Sequence, residues 1–155
     1  MNVVIGFIAL IGSTYIGYNL SKKFAKRKIF YFEFNEFNNK IKNEISYSQN
    51  TIFYVLKSKT KGESDFYNCL TDVIIYKNPF NFEKKYIGSD EIEFFSDYIA
   101  NVGGGDKISQ NKFLENASDY LKEKCKSSDV EEKKFKKLYI KLGFLIGLVI
   151  FIVLI

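Results

Sequence analysis

Histidine and tryptophan are absent from these 155 residues, proline and methionine occur once each, and cysteine occurs twice. Without histidine the chain lacks the side chain that most often moves protons near neutral pH, and also the commonest metal ligand. Cys69 and Cys125 stand far apart without metal-ligand spacing. They are read as two reduced, partly buried thiols. Aspartate and glutamate are scattered over predicted helix surfaces with no paired spacing. The glycine-rich stretch Val102-Gly-Gly-Gly-Asp-Lys-Ile-Ser-Gln110 follows a predicted helix instead of a strand and lacks the Gly-Lys-Ser/Thr of a phosphate loop. These absences point to a protein that is not an enzyme and needs neither metal nor cofactor.

Charge is also missing in two places. No charged side chain occurs in residues 1–21 or 142–155. Each of these stretches ends in a basic collar: Lys22, Lys23, Lys26, Arg27 and Lys28 after the first, and Lys133, Lys134, Lys136, Lys137 and Lys141 before the second. The ten collar cations leave thirteen basic residues against all eighteen acidic ones in 29–132, so the net +5 of the chain conceals a middle of net −5. An acidic middle disfavours nucleic acid, which needs clustered lysine and arginine. With 46% apolar and 17% aromatic residues the chain can still build a core, which argues against disorder.

Val3 to Leu20 is 18 residues long, near the lower limit for crossing a bilayer. Its positive charges follow the apolar stretch and no small-residue cleavage site precedes Lys22, so an uncleaved anchor is favoured over a signal peptide. Leu142 to Ile155 is short alone. It reaches 18 residues when extended back to Leu138, with Tyr139 at the interface and Lys141 snorkelling toward the headgroups. Both collars lie on the side of the middle region, which predicts a cytoplasmic domain with both termini outside. Small residues recur at four-residue steps, Ala9, Ser13 and Gly17 in the first span and Gly143 and Gly147 in the second. Such ridges let helices pack closely in lipid, within one chain or between copies.

Between the spans the pattern is helical. Phe34, Phe37, Ile41 and Ile45 form one face of a helix from Phe30 to about Tyr47, with Asn38, Asn39, Lys40, Lys42, Asn43 and Glu44 assigned to the opposite face. A short helix is expected over Thr51–Lys57, capped by Ser48 or Asn50 and ended by the Lys59–Gly62 turn. Another starts at Ser64 and Asp65 and stops at Asn78-Pro79. A further helix starts at Ser89 and runs to Val102, closed by Gly103, Gly104 and Gly105. The last opens near Ile108, with Asp106 as its cap and Gln110 near its first turn, and runs nearly continuously into the second span. Ser128 and Glu131 offer a capping box and hence a bend as the alternative. The expected fold is all-α: a transmembrane helix over 1–21, a cytoplasmic helical bundle over 22–137 and a transmembrane helix over 138–155.

The order of features resembles the stage III sporulation protein AB family. Ile11-Gly-Ser-Thr-Tyr-Ile-Gly17, the basic stretch and Asn43-Glu-Ile-Ser-Tyr47 look like the family's opening. Val102 to Gln110 is similar to its Leu-Gly-x-Ser-Asp-x-x-x-Gln motif, with Val for Leu and Gly for Ser. Lys137-Leu-Tyr-Ile-Lys-Leu-Gly143-Phe-Leu-Ile-Gly147-Leu matches its closing Lys-x-Tyr-x-x-Leu-Gly-x-x-x-Gly-Leu. Gln49-Asn-Thr-Ile-Phe53 departs from it where a Pro-Leu usually stands. The resemblance implies a fold like the inner-membrane platform proteins of type II secretion and type IV pilus machines. It further implies a non-enzymatic component of a mother-cell-to-forespore channel complex, in the mother-cell membrane around the forespore, whose partners are the cognate stage III sporulation AA ATPase and other membrane proteins of the channel. The other reading of the same residues is a stand-alone helical membrane adaptor unrelated to sporulation.

Overall fold

The computed structural model describes residues 2–47, 64–76 and 87–154. Among these every regular element is an α-helix: α1 (Asn2–Tyr47), α2 (Asp65–Ile74), α3 (Ser89–Asn101) and α4 (Lys107–Leu154). The short helix over 51–57, the 59–62 turn and the Asn78-Pro79 stop lie outside the described residues. The chain divides into two compact units, Met1–Lys28 with Ser127–Ile155, and Ile29–Lys126.

The helices start and stop where local chemistry directs. Ser64, in an extended conformation, accepts the Tyr67 N–H at 3.2 Å and so caps α2. At the start of α3 the Glu91 carboxylate reaches back to the Gly88 N–H at 2.9 Å, satisfying a donor that has no partner inside the helix. α3 ends at Val102, which is extended, and Gly103 follows at φ 82°. α4 is one helix from end to end. Ser128 is interior to it and buried, so the bend offered by a Ser128–Glu131 capping box is not taken.

The unit over 29–126 is built on aromatic packing. Phe30, Phe34, Phe37 and Ile41 of α1, Phe66, Cys69 and Leu70 of α2, Phe95 and Tyr98 of α3, and Leu114, Ala117, Leu121 and Cys125 of α4 form one buried cluster. Phe34 sits at its centre, with the rings of Phe30, Phe66, Phe95 and Tyr98 at centroid distances of 4.8 to 6.0 Å. Both cysteines are buried thiols outside any disulfide. Along α3, Ile92 and Ile99 are half-buried, and the positions that go inside are Glu91, Phe95 and Tyr98.

Asn38 corrects the sequence reading. It was assigned to the polar face, yet it is fully buried, while its neighbour Asn39 is exposed. The other three helices pack against α1 over a buried arc wider than its aliphatic stripe, and Asn38, next to Phe37, falls within that arc.

The other unit pairs the two long apolar helices, each long and apolar enough to cross a membrane. Its large side chains face outward: Val4, Ile8, Ile11, Ile16, Leu145, Ile146, Val149, Ile152 and Val153 are all exposed. Between the helices lie Gly6, Gly17, Gly143 and Gly147, which are buried. A surface of this kind is a liability in water. In hydrocarbon it is the expected inside-out arrangement.

Candidate functional site

Three groups of residues are candidates: the α3–α4 connector, the buried polar groups of the same helical unit, and the packed and charged positions of the long helix pair. The connector begins where Val102 leaves α3. Gly103 and Gly105 have φ of 82° and 85°, a left-handed conformation that a side chain disfavours. Gly104 does not, and a Cβ there would make an ordinary contact with the Asn101 carbonyl at 3.5 Å. Two of the three glycines are thus required by backbone geometry and the middle one is not.

Asp106 and Gln110 tie the turn together. Asp106 Oδ2 accepts the N–H groups of Ile108 at 3.1 Å and Ser109 at 3.2 Å, and Oδ1 accepts the Ser109 hydroxyl at 2.6 Å. It is the N-cap of α4. The Ser109 hydroxyl first, then the two N–H donors, hold its carboxyl below the usual range. Gln110 is buried. Its Oε1 accepts the Gly103 N–H at 3.0 Å, and its Nε2 donates to the carbonyls of Asn101 at 3.0 Å and of Gly104. One amide thus satisfies the end of α3 and the turn at once.

A fully exposed group with a lowered pKa stabilises the fold above its ordinary pKa, and that contribution is lost as pH falls through the lowered value. Asp106→Ala is therefore expected to lower the thermal midpoint at pH 7, and the gap to the parent should close on acidification below 3.8. Gly105→Val, at positive φ, should cost more, about 1–2 kcal/mol or above for a β-branched residue. Thermal melts of the full chain in detergent at pH 7 and below pH 3.5 read both effects. A constant gap for Asp106→Ala across that range would remove the capping role.

In the same helical unit, Asn38 Nδ2 donates to the Leu114 carbonyl at 3.1 Å and the Ser118 hydroxyl at 3.2 Å, while the Tyr98 hydroxyl donates to Asn38 Oδ1 at 2.9 Å. This node joins α1, α3 and α4. Burial pushes the Tyr98 phenol far above its ordinary pKa, so it remains a donor. Glu91, after reaching Gly88, also accepts from Lys124 at 3.1 Å. Burial alone would lower the Lys124 pKa, but the hydrogen bond and charge of Glu91, with a further contribution from Tyr120, together outweigh it and raise the value. The Cys125 thiol donates to the Tyr31 carbonyl, and burial lifts its pKa from 9.0 to about 11. A neutral buried thiol of this kind is inert.

Sequence reasoning missed the Asn38–Tyr98–Ser118 node and the Glu91–Lys124 pair. Glu91 had a signal, since a carboxylate three residues into a helix is placed to cap it. Asn38 had none that separates it from Asn39.

In the helix pair the small residues meet. A side chain on Gly143 would strike the Ser13 carbonyl at 2.6 Å, one on Gly147 the Ser13 hydroxyl and the Leu10 backbone, and one on Gly17 the Tyr139 carbonyl. Ala9 is half-buried. Phe7 and Phe151 close the pair at one end, with centroids 5.1 Å apart, and Phe24 stacks on Phe135 at 4.4 Å toward the collars.

The collar residues sort into two tiers. Arg27 pairs with Glu131 at 3.4 Å, Lys28 with Asp129 at 2.6 Å and Glu132 at 3.7 Å, and Lys133 and Lys136 with Asp129 and Glu132 of their own helix. The hydrogen bond to Asp129 raises the Lys28 pKa, and those from Lys133 and Lys28 lower that of Asp129. Lys22, Lys23, Lys134, Lys137 and Lys141 have no carboxylate partner among the described residues. Lys22 lies over the Tyr18 ring, Lys23 over Phe24 and Tyr139, and Lys134 over Phe135, at 4.9 to 5.7 Å.

None of these groups assembles a nucleophile, a general base or, among the described residues, a cluster of metal ligands. What they do is set helix ends, fix which helices pack together, and place cations beside the apolar stretches. Compared with known families, the chain is matched over residues 58–155 by the family model described as stage III sporulation protein AB. The match includes the Val102–Gln110 and Lys137–Leu148 motifs and begins after the Ile11–Gly17 and Asn43–Tyr47 segments. No curated protein and no solved structure matches.

Proposed function

The chain belongs to the stage III sporulation protein AB family, and from that membership we propose that it is a non-enzymatic platform component of a sporulation channel complex that engages the cognate cytoplasmic ATPase. The reading is carried by the combination of a family match across the connector and second span with an architecture of two apolar helices and a helical unit. An ATPase that moves against a membrane complex needs a rigid docking partner held at the bilayer. Here the buried Asn38–Tyr98–Ser118 node and the Gln110-tied turn fix α1, α3 and α4 together. The partner surface belongs to the unit over 29–126 and carries no chemistry of its own.

In this reading the protein lies in the mother-cell membrane around the forespore, with the helical unit in the cytoplasm and both termini outside, an orientation that the two basic collars support under the positive-inside rule. Two measurements test it together. Alkaline phosphatase fused at either terminus should be active and fused within residues 59–62 should be inactive; activity at 59–62 overturns the topology. The full chain in detergent should co-elute with the stage III sporulation AA ATPase of the same genome. Failure to co-elute, with topology intact, favours the stand-alone adaptor.

A further inference from the structure

The two tiers of the collar differ in what satisfies them, and the difference points to a ligand. α1 and α4 run antiparallel: Phe24 stacks on Phe135, Gly17 packs on Tyr139, and Lys28 meets Asp129. In this register Lys137 of α4 stands level with Leu20 of α1, and Lys141 about one turn deeper, level with Ile16. Lys22 and Lys23 lie about 8 Å nearer the charge-free stretch than Arg27 and Lys28, at 1.5 Å per residue. In the far tier Arg27, Lys28, Lys133 and Lys136 are ion-paired with Asp129, Glu131 and Glu132. The near tier has four ammonium groups, Lys22, Lys23, Lys137 and Lys141, spread over about 10 Å of height at that rise, and none of them has a carboxylate partner among the described residues. Tyr18, Phe24 and Tyr139 hold two of those ammonium groups over ring faces, an arrangement that positions a cation without cancelling its charge.

We propose that Lys22, Lys23, Lys137 and Lys141 form a binding site for the headgroups of anionic phospholipids, with the paired tier behind it locking the helices in register. The charge sign, the adjacency to an outward apolar surface, and the aromatic rings at the same level all match a phosphodiester at the edge of a bilayer. Near a negative membrane surface each such lysine contributes about fivefold to association, so the four together select anionic over zwitterionic lipid strongly and in a salt-dependent way. The site rests on the membrane reading but not on the ATPase.

Because the chain has no tryptophan, Tyr139→Trp supplies a single fluorophore at the site and keeps a ring face for Lys23. The full chain carrying it is reconstituted in phosphatidylcholine vesicles with increasing brominated phosphatidylglycerol or brominated phosphatidylcholine. The anionic lipid should quench at a mole fraction about tenfold or more lower at low ionic strength, the fivefold steps of several lysines combined, and the advantage should shrink with added chloride. Lys22→Gln, Lys23→Gln, Lys137→Gln and Lys141→Gln together should abolish it, and the charge-matched set Lys40→Gln, Lys112→Gln, Lys122→Gln and Lys126→Gln should leave it in place. Equal quenching by both lipids, or a preference that survives the first set, overturns the proposal. Loss of the preference with inorganic phosphate but not with chloride of equal ionic strength assigns the site to a soluble phosphate and overturns it too. Absence of quenching by either lipid would instead remove the membrane reading itself.

Discussion

Phe34→Ala is expected to be the most destabilising single change in the helical unit. Phe34 is 1% exposed, and its ring touches aromatic side chains from all three partners of its layer: Phe30 on its own helix, Phe66 on α2, and Phe94, Phe95 and Tyr98 on α3. Removing a buried phenyl ring costs about 3–5 kcal/mol, the transfer term together with the cavity left behind. Aromatic edge-to-face contacts add about 0.5–1.5 kcal/mol per pair beyond buried area. A domain of this size has about 5–15 kcal/mol in all, so the variant should lose a large part of its cooperative transition. Phe34→Leu, which keeps most of the volume, should cost about half as much or less. Urea titrations of the full chain in detergent, followed by circular dichroism, measure both. A Phe34→Ala midpoint equal to that of the parent would mean the aromatic layer does not carry the stability of the unit.

The second large effect concerns the long helix pair. Gly143→Leu with Gly147→Leu should separate α1 from α4, because a side chain there runs into backbone: the Ser13 carbonyl and Thr14 Cα at one position, and at the other, beyond the Ser13 hydroxyl, Leu10 Cα and its carbonyl. Backbone cannot rotate aside as a side-chain tip can. Overpacking a close contact costs about 1–3 kcal/mol per site when the neighbours yield, and two such sites correspond to a loss of about tenfold or more in the packed population. Proximity can be read with Gly6→Cys and Phe151→Cys. A Cβ on Gly6 lies 3.5 Å from Phe151 Cα, which is within reach of a disulfide, and Cys69 and Cys125 are first replaced by Ala. Oxidation should cross-link most of the protein within the monomer band when the glycines are present, and little of it in the double-leucine variant, with membrane insertion unchanged. Equal cross-linking would make the glycines incidental to packing.

Much of the fold was legible in the sequence because it is decided locally. Ser64, Asp106 and the glycines at 103 and 105 satisfy or redirect helix ends within a few residues of themselves, so their roles follow from side-chain chemistry and backbone sterics. The face Phe30, Phe34, Phe37 and Ile41 is set by helical periodicity alone, as are the charge-free stretches and the lysines beside them. The family resemblance rested on the same short motifs, and two of its three segments fall inside the matched residues.

What the tertiary structure alone decided is non-local. Asn38 and Asn39 are chemically identical neighbours, and only the approach of Tyr98, Leu114 and Ser118 makes one a buried node and leaves the other exposed. Gln110 looked like a first-turn residue, yet its amide closes onto Gly103, Asn101 and Gly104 because the turn folds back over it. The ten collar cations look alike as a sequence. Which of them are paired depends on the antiparallel register of α1 and α4, which sets Asp129 and Glu131 opposite Lys28 and Arg27 and leaves Lys22, Lys23, Lys134, Lys137 and Lys141 without a carboxylate partner among the described residues. The period of a helix fixes which side chains share a face, but the register between two helices comes from packing, here from glycines whose missing side chains let the backbones meet.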